Sequence, residues 1–209
     1  TTSGTELFRK LVSTADVLLE TNPPGYLPSL KLGPDELRGA NTKLIYCSLT
    51  PFGQDGPWHG YKTTDLLHMA AGGQMASSGY DEDELPDAPP IAPGGGNAWH
   101  IGSHYAYIGI MAALYHRDMC DEGQYIDASI HEACALTTEG AIAIYLASGT
   151  VVRRHTGRHP RPGAASVAGG VAGRAGRLEP FHQHGTPGYV RHMAVLAFFG
   201  RGILYGLVL

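Results

Sequence analysis

Leu44-Ile45-Tyr46-Cys47-Ser48-Leu49-Thr50-Pro51-Phe52-Gly53-Gln54-Asp55-Gly56-Pro57 is the stretch on which the fold turns. Residues 44–49 form a short, mostly apolar run of β-formers, the pattern of a strand buried on both faces of a covered sheet. Gly53, Gly56 and Pro57 then stop the strand and fix a rigid loop at its C-terminal end. In open α/β sheets that edge is where ligands bind.

Working outward, residues 15–20 (Ala-Asp-Val-Leu-Leu-Glu) read as a second compact strand. It is closed by Thr21-Asn22-Pro23-Pro24-Gly25, where two prolines and a glycine forbid a continuing ladder. Residues 5–13 read as an amphipathic helix with Leu7, Leu11 and Val12 on its apolar face. Residues 26–32 form a short helix. Another starts at Gly33-Pro34-Asp35-Glu36-Leu37, with proline near its first turn and acids at its N-terminus. Helices alternating with strands imply a layered α/β unit on a Rossmann-like parallel sheet.

Further along, residues 64–71 are helical with Thr63 or Thr64 as N-cap. Residues 80–96 form a loop, acidic first and then rich in Pro and Gly. The strongest helix of the chain runs from Asn97 or Ala98 to Arg117, with Ile101, Tyr105, Ile108, Ala112 and Tyr115 giving its apolar face. Residues 123–130 read as a strand and 131–146 as one long Ala-rich helix.

The bulk composition narrows the function classes. With 209 residues and 43% apolar content, the chain builds a real core. A net charge of -4 disfavours nucleic acid as a partner. Cys47, Cys120 and Cys134 lie far apart, which suits a reducing, cytoplasmic setting and argues against a disulfide frame or a zinc ribbon. No uncharged apolar run has the length of a membrane span, so no membrane association is expected. From about residue 151 the character changes. Only Glu179 is acidic after residue 139, no lysine follows Lys62, and Arg, Gly, Ala, Pro and His dominate 153–188. The chain therefore divides into a folded part, 1–150, and a Gly/Arg/Pro-rich linker with an apolar tail, 151–209. The tail from about 163 has the composition of a GC-rich gene read out of frame; a divergent genuine linker is the alternative.

Several side chains carry weight on their own. His100 and His104 stand i, i+4 on the strong helix, a spacing that can hold a metal, but no third ligand is evident and none is expected to bind. Asn97 is a candidate N-cap. Asp65 reads as a carboxylate stabilising a helix N-terminus, and Asp127 as a structural hydrogen-bonding residue inside a strand. Gly94-Gly95-Gly96 lacks the preceding strand and following Lys of a phosphate loop. Cys47 reads as an inert core thiol.

Four stretches carry a family resemblance: Ala15-Asp16-Val17-Leu18-Leu19-Glu20, Leu32-Gly33-Pro34-Asp35-Glu36-Leu37, the Leu44–Pro57 stretch, and Gly123-Gln124-Tyr125-Ile126-Asp127-Ala128-Ser129. With Ile108-Gly109-Ile110 between them, their order and spacing resemble the family III CoA-transferases, the group that includes formyl-CoA transferase, carnitine CoA-transferase and α-methylacyl-CoA racemase. The resemblance implies the large domain of that fold, truncated at its N-terminus and without a recognisable small domain. A truncated sheet would expose an edge strand. It implies transfer of CoA between an acyl-CoA thioester and a small carboxylic acid, with CoA thioester as substrate and no permanently bound cofactor. An aspartate attacks the thioester to give an acyl-aspartyl anhydride. Counting back from Ile108, the nucleophile position falls on Trp99, which cannot do this. His100, beside it, is then the candidate nucleophile or base, with Asn97 as a polar contact. The partner histidine of a racemase falls on Thr64, so by this alignment the racemase pair is absent too; racemase activity stays as a further alternative. CoA contacts are implied at Thr21, Asn22, Pro23, Thr50, Phe52 and Gly53, although Pro23 replaces a residue that is usually basic. The resemblance also implies an interlocked homodimer, or pairing with a related subunit, and hence a strong helix buried more than its polar residues suggest. A non-catalytic CoA-thioester-binding relative or an inactive fragment is the reading from another class.

Overall fold

The structure is a computed structural model that describes residues 2–81 and 85–154 and, at the level of the backbone, two strands at Ala194–Phe199 and Ile203–Val208. Three strands, β1 (Val17–Glu20), β2 (Ile45–Thr50) and β3 (Tyr125–Ser129), form a parallel sheet with β2 in the middle. The strands at 194–199 (β4) and 203–208 (β5) extend it to the order β3-β2-β1-β4-β5, with β4 parallel to β1 and β5 antiparallel to β4. The edge of β1 that the sequence leaves exposed is thus paired with β4. Of the expected linker and tail, residues 155–193, 200–202 and 209 lie outside the described residues.

Every residue of β2 is buried, because helices cover both faces of the sheet. On one face Leu18, Leu44 and Tyr46 pack with Phe8 and Val12 of α1 (Thr2–Val12), Leu27 of α2 (Tyr26–Ser29), Leu32 of the turn after it and Leu37 of α3 (Pro34–Ala40). On the other, Val17, Ile45, Cys47 and Leu49 pack against α4 (Asp65–Ala71), α5 (Asn97–Cys120) and α6 (Ile130–Leu136). A 3-10 turn, Gln74–Ala76, follows α4, and α7 (Glu139–Ser148) buries no residue.

The elements follow the expected alternation, with three corrections. In α1 the buried side chains are Phe8 and Val12, whereas Leu7 is 60% exposed. In α5 the buried face is Ala98, Gly102, Ala106, Ile110 and Ala113, and the expected face of Tyr105, Ile108 and Tyr115 points outward. Small residues let the helix seat closely: a Cβ added at Gly102 would lie 2.7 Å from Cγ1 of Ile130, the first residue of α6. The third correction is the break of the expected long helix into α6 and α7. The hydroxyls of Thr137 and Thr138 donate to the carbonyls of Cys134 and Ala135, both at 2.7 Å, and Gln74 Nε2 donates to Cys134 O as well. Side-chain donors compete for the carbonyls that the next helical turn needs.

Candidate active site

The C-terminal ends of β1, β2 and β3 lie side by side, and the loops leaving them are tied together. Glu20, in register with Ser48, is buried. Its Oε1 accepts from the Ser48 hydroxyl at 2.8 Å, and its Oε2 accepts from the backbone N–H of Asn22 at 2.9 Å and from Asn22 Nδ2 at 3.0 Å. The carboxylate therefore fixes the turn that follows β1. After β2 the chain turns through Gly53 at φ +87°, a conformation that favours glycine. Gln54 then bridges both turns: its N–H donates to Asp127 Oδ2 at 2.9 Å, and its Oε1 accepts from Gly25 N–H at 3.3 Å. Thr21, Asn22, Pro23, Thr50, Phe52 and Gly53 are thus gathered at one end of the sheet. Thr50 Oγ1 and Gln54 Nε2 are buried there without a hydrogen-bond partner.

Beside these turns lies a cluster of rings. Phe52 packs on Trp58, Tyr61, His68 and His131, with centroids 5.9, 6.5, 5.1 and 5.5 Å away. Trp58 meets His131 at 5.3 Å, and Trp99 meets His68 at 5.4 Å. His68 is fully buried, and neither ring nitrogen has a partner; Nδ1 of His131 is also buried and unpaired. Burial pushes the His68 imidazole below its ordinary value; the His131 ring adds to that and Asp65 opposes it. A cavity of about 300 Å³ opens beside Phe52, Trp58 and His131, with Asp55, Asp127 and Glu132 on its wall.

The start of α5 carries the other candidates. Its N-cap position is Gly96, in the left-handed region, so Asn97 is the first helical residue and not the cap. Asp65, at the start of α4, replaces that cap: its Oδ1 accepts from the Ala98 N–H at 2.7 Å. Thr64 caps α4, accepting from Leu67 N–H at 3.3 Å. Of Asn97, Trp99 and His100, it is Trp99 whose ring enters the cluster; the His100 side chain is exposed. His104 Nδ1 sits 2.7 Å from the His100 carbonyl, so the i, i+4 spacing serves a ring-to-backbone bond. Among the described residues, no group of three or more His, Cys, Asp or Glu side chains is placed to hold a metal ion. Burial, with Asp127 and Glu20 nearby, pushes the Cys47 thiol up to about 12, which makes it inert.

Sequence reasoning missed His68 and His131. Each is a single histidine in an apolar helical stretch, and nothing in the spacing links residues 63 positions apart. The only signal was their place, each shortly after a turn at the edge where ligands bind.

A sequence profile described as CoA-transferase family III matches residues 1–169. Over 165 residues the chain is 34% identical to the succinyl-CoA:(R)-benzylsuccinate CoA-transferase subunit BbsE of Thauera aromatica, covering 79% of this chain and 38% of that one. Over 155 residues it is 34% identical to the acetyl-CoA:oxalate CoA-transferase of Acetobacter aceti, covering 74% and 39%. A crystal structure of a CAIB/BAIF family protein from Brucella suis superposes with a TM-score of 0.68 at 34% identity, covering 74% of this chain and 40% of that one. The chain therefore spans about two fifths of the length of these relatives. Among the described residues, no helix is long and apolar enough to cross a membrane.

Proposed function

The chain belongs to CoA-transferase family III, and on that premise we propose that it takes part in transfer of CoA between an acyl-CoA thioester and a carboxylic acid. The observation that carries this reading is that the family match runs through both strand-end turns, and that Glu20, Gln54 and Asp127 hold these turns together. We assign the CoA thioester to this edge, along Thr21, Asn22, Pro23, Thr50, Phe52 and Gly53. The Thr50 hydroxyl and the Gln54 amide support that assignment as buried polar groups at this edge that are not already engaged.

By the resemblance, the nucleophile position is Trp99. An indole cannot add to a thioester carbonyl and leave as a carboxylate does, so the usual acyl-aspartyl anhydride has no acceptor there. His100 remains the candidate nucleophile or base in a variant chemistry, with Asn97 as its polar neighbour. A second reading, favoured by Trp99 itself, is a relative that binds CoA thioesters without turning them over, or that pairs with an active subunit. The apolar outer face of α5, with Tyr107 and Ile108 58% and 59% exposed, suits such pairing with a like or related chain. The racemase alternative loses support from Thr64, whose hydroxyl is engaged as the cap of α4. We keep the division into a large-domain part, 1–150, and a linker and tail, 151–209, as part of this proposal.

The test is a calorimetric titration of the whole chain with CoA and succinyl-CoA, followed by transfer assays of Trp99→Asp with succinyl-CoA and a panel of acids. Transfer gained by Trp99→Asp means that the scaffold holds acyl-CoA and lacks only its nucleophile. Transfer by the unsubstituted chain that His100→Ala abolishes supports the variant chemistry. If neither protein binds a CoA thioester, the reading fails.

A further inference from the structure

The turn after β1 is stiff and is held at both ends. Pro23 and Pro24 fix its backbone, so it shifts as one piece rather than residue by residue. At its start, the buried Glu20 carboxylate accepts from the Asn22 N–H at 2.9 Å and from Asn22 Nδ2 at 3.0 Å. At its end, the Tyr26 N–H donates to the Pro23 carbonyl at 3.0 Å, which ties the turn to α2. Leu27 is the single residue that roots α2 in the core, and one root does not fix its rotation. Gln54 does: its Oε1 accepts from the Gly25 N–H at 3.3 Å, from 29 residues away. Gly25 stands at φ +77° and supplies no side-chain cap of its own.

The other side of this tie is as firm. The Gln54 N–H donates to Asp127 Oδ2 at 2.9 Å. Gly53, before it, lies at φ +87°, where an added Cβ would stand 3.5 Å from that same oxygen, so the loop after β2 lies against β3. Gln54 thus joins the exits of all three parallel strands. Its chain comes from β2, its backbone bonds to β3, and its side chain reaches the turn after β1. Only an oxygen can accept from Gly25, so the orientation of the carboxamide is fixed, and Nε2 has no hydrogen-bond partner.

We infer that Gln54 is a positioning residue that sets the distance between the turn at 21–25 and the loop at 50–53, and so sets how tightly this edge holds a CoA thioester. This deepens the CoA-transfer reading and rests on its assignment of the thioester to this edge. Gln54 acts through Asn22 and Pro23 and is given no contact with reacting atoms. Because the turn is stiff, a bond lost at Gly25 displaces its ligand contacts together rather than singly. Global stability is spared, because the bond is exposed and its loss removes an unpaired amide at the same time.

The test uses the whole 209-residue chain, with CoA and succinyl-CoA as calorimetric probes and NMR amide exchange of Gly25 in the free protein. Gln54→Met keeps the length of the side chain and removes the acceptor. Expected is Gly25 exchange faster by about tenfold and CoA affinity lower by about five- to tenfold, with an unchanged urea midpoint. Gln54→Glu keeps an acceptor oxygen and restores the slow exchange of Gly25. A side chain that only stabilises the fold lowers affinity in step with the midpoint. Arg117→Met is therefore the control: its midpoint falls and its CoA affinity stays. If Gln54→Met fails to fold, Gln54→Asn, which draws the acceptor back by one methylene, takes its place. Unchanged affinity beside a freed Gly25 amide overturns the inference, as does unchanged Gly25 exchange or affinity lost in proportion to the midpoint. In those cases the unsubstituted chain still binds CoA, and the transferase reading stands. An unsubstituted chain that binds no CoA thioester refutes that reading and this inference with it, while Gly25 exchange still shows whether the tie exists.

Discussion

The two ends of the parallel sheet are built in opposite ways. At the N-terminal ends of the strands, side chains tie the loops to one another around a cavity of about 460 Å³ walled by Asp16, Asn41, Lys43 and Arg117. Arg117, near the end of α5, reaches the Asp16 carboxylate at 3.0 Å and the Lys43 carbonyl at 3.3 Å. Asn41 Nδ2 donates to the Val12 and Ala15 carbonyls, and Arg38 Nη2 to the Gly123 carbonyl. Gly123 lies so close to β2 that an added Cβ would stand 2.1 Å from the Leu44 carbonyl oxygen. At the C-terminal ends, Thr50, Gln54, His68 and His131 keep buried polar atoms unpaired. Parallel strands send all their exits to one side, so a single end of the sheet can be left incomplete for a ligand while the other carries the stitching.

The contrast is broken most severely at the stitched end. Gly123→Val drives side-chain atoms into the Lys43–Leu44 backbone that leads into β2 and cannot yield, and is expected to cost ~3 kcal/mol or more, seen as loss of the cooperative thermal transition. Arg117→Met keeps most of the packing and removes a half-buried ion pair and its carbonyl bonds; a loss of about 2 kcal/mol in urea denaturation is expected. At the open end, Glu20→Gln keeps one acceptor oxygen for the Asn22 turn. It is expected to cost about 1 kcal/mol of stability yet weaken CoA binding by more than Arg117→Met does. A comparison of the two variants by calorimetry then separates the ends by role.

His68 sharpens the comparison through pH. Its imidazole is depressed in the folded chain, so below the ordinary value of about 6.5 the unfolded chain binds the extra proton first. Stability should therefore fall as the pH drops from about 6.5 toward the folded value, and this part of the slope should vanish in His68→Gln when urea midpoints are followed across the range. The smallest effect is expected on the outer face of α5. Tyr107→Ser with Ile108→Thr should change the stability of the monomer by no more than about 0.5 kcal/mol, while sedimentation velocity shows reduced self-association.

Much of the fold was legible in the sequence because its signals are local. The β-former run at 44–49, the Pro and Gly stops at 23–25 and 53–57, and the acids and Pro34 opening α3 act through neighbours in the chain. The faces were harder to read. Periodicity marks Tyr105, Ile108 and Tyr115 as one apolar stripe, but a helix lying on a sheet is seated by its smallest residues, and Gly102, Ala106 and Ala113 carry no hydropathy signal that announces this. The break at Thr137 depended on Gln74, 60 residues away, claiming the Cys134 carbonyl.

The site divides in the same way. The turns at Thr21–Pro23 and Thr50–Gly53 could be named in advance, since glycine and proline punctuation and the family resemblance both point to them. That Asp65 caps α5 rather than only its own helix, and that Trp99 rather than His100 meets a buried histidine, was decided in three dimensions. The sequence by itself determined the order of elements and the edge at which they converge, because propensity and turn chemistry are properties of short stretches. Only the tertiary structure decided which side chains lose their water together, and burial is what turns His68 from one of 11 histidines into an imidazole with neither nitrogen paired.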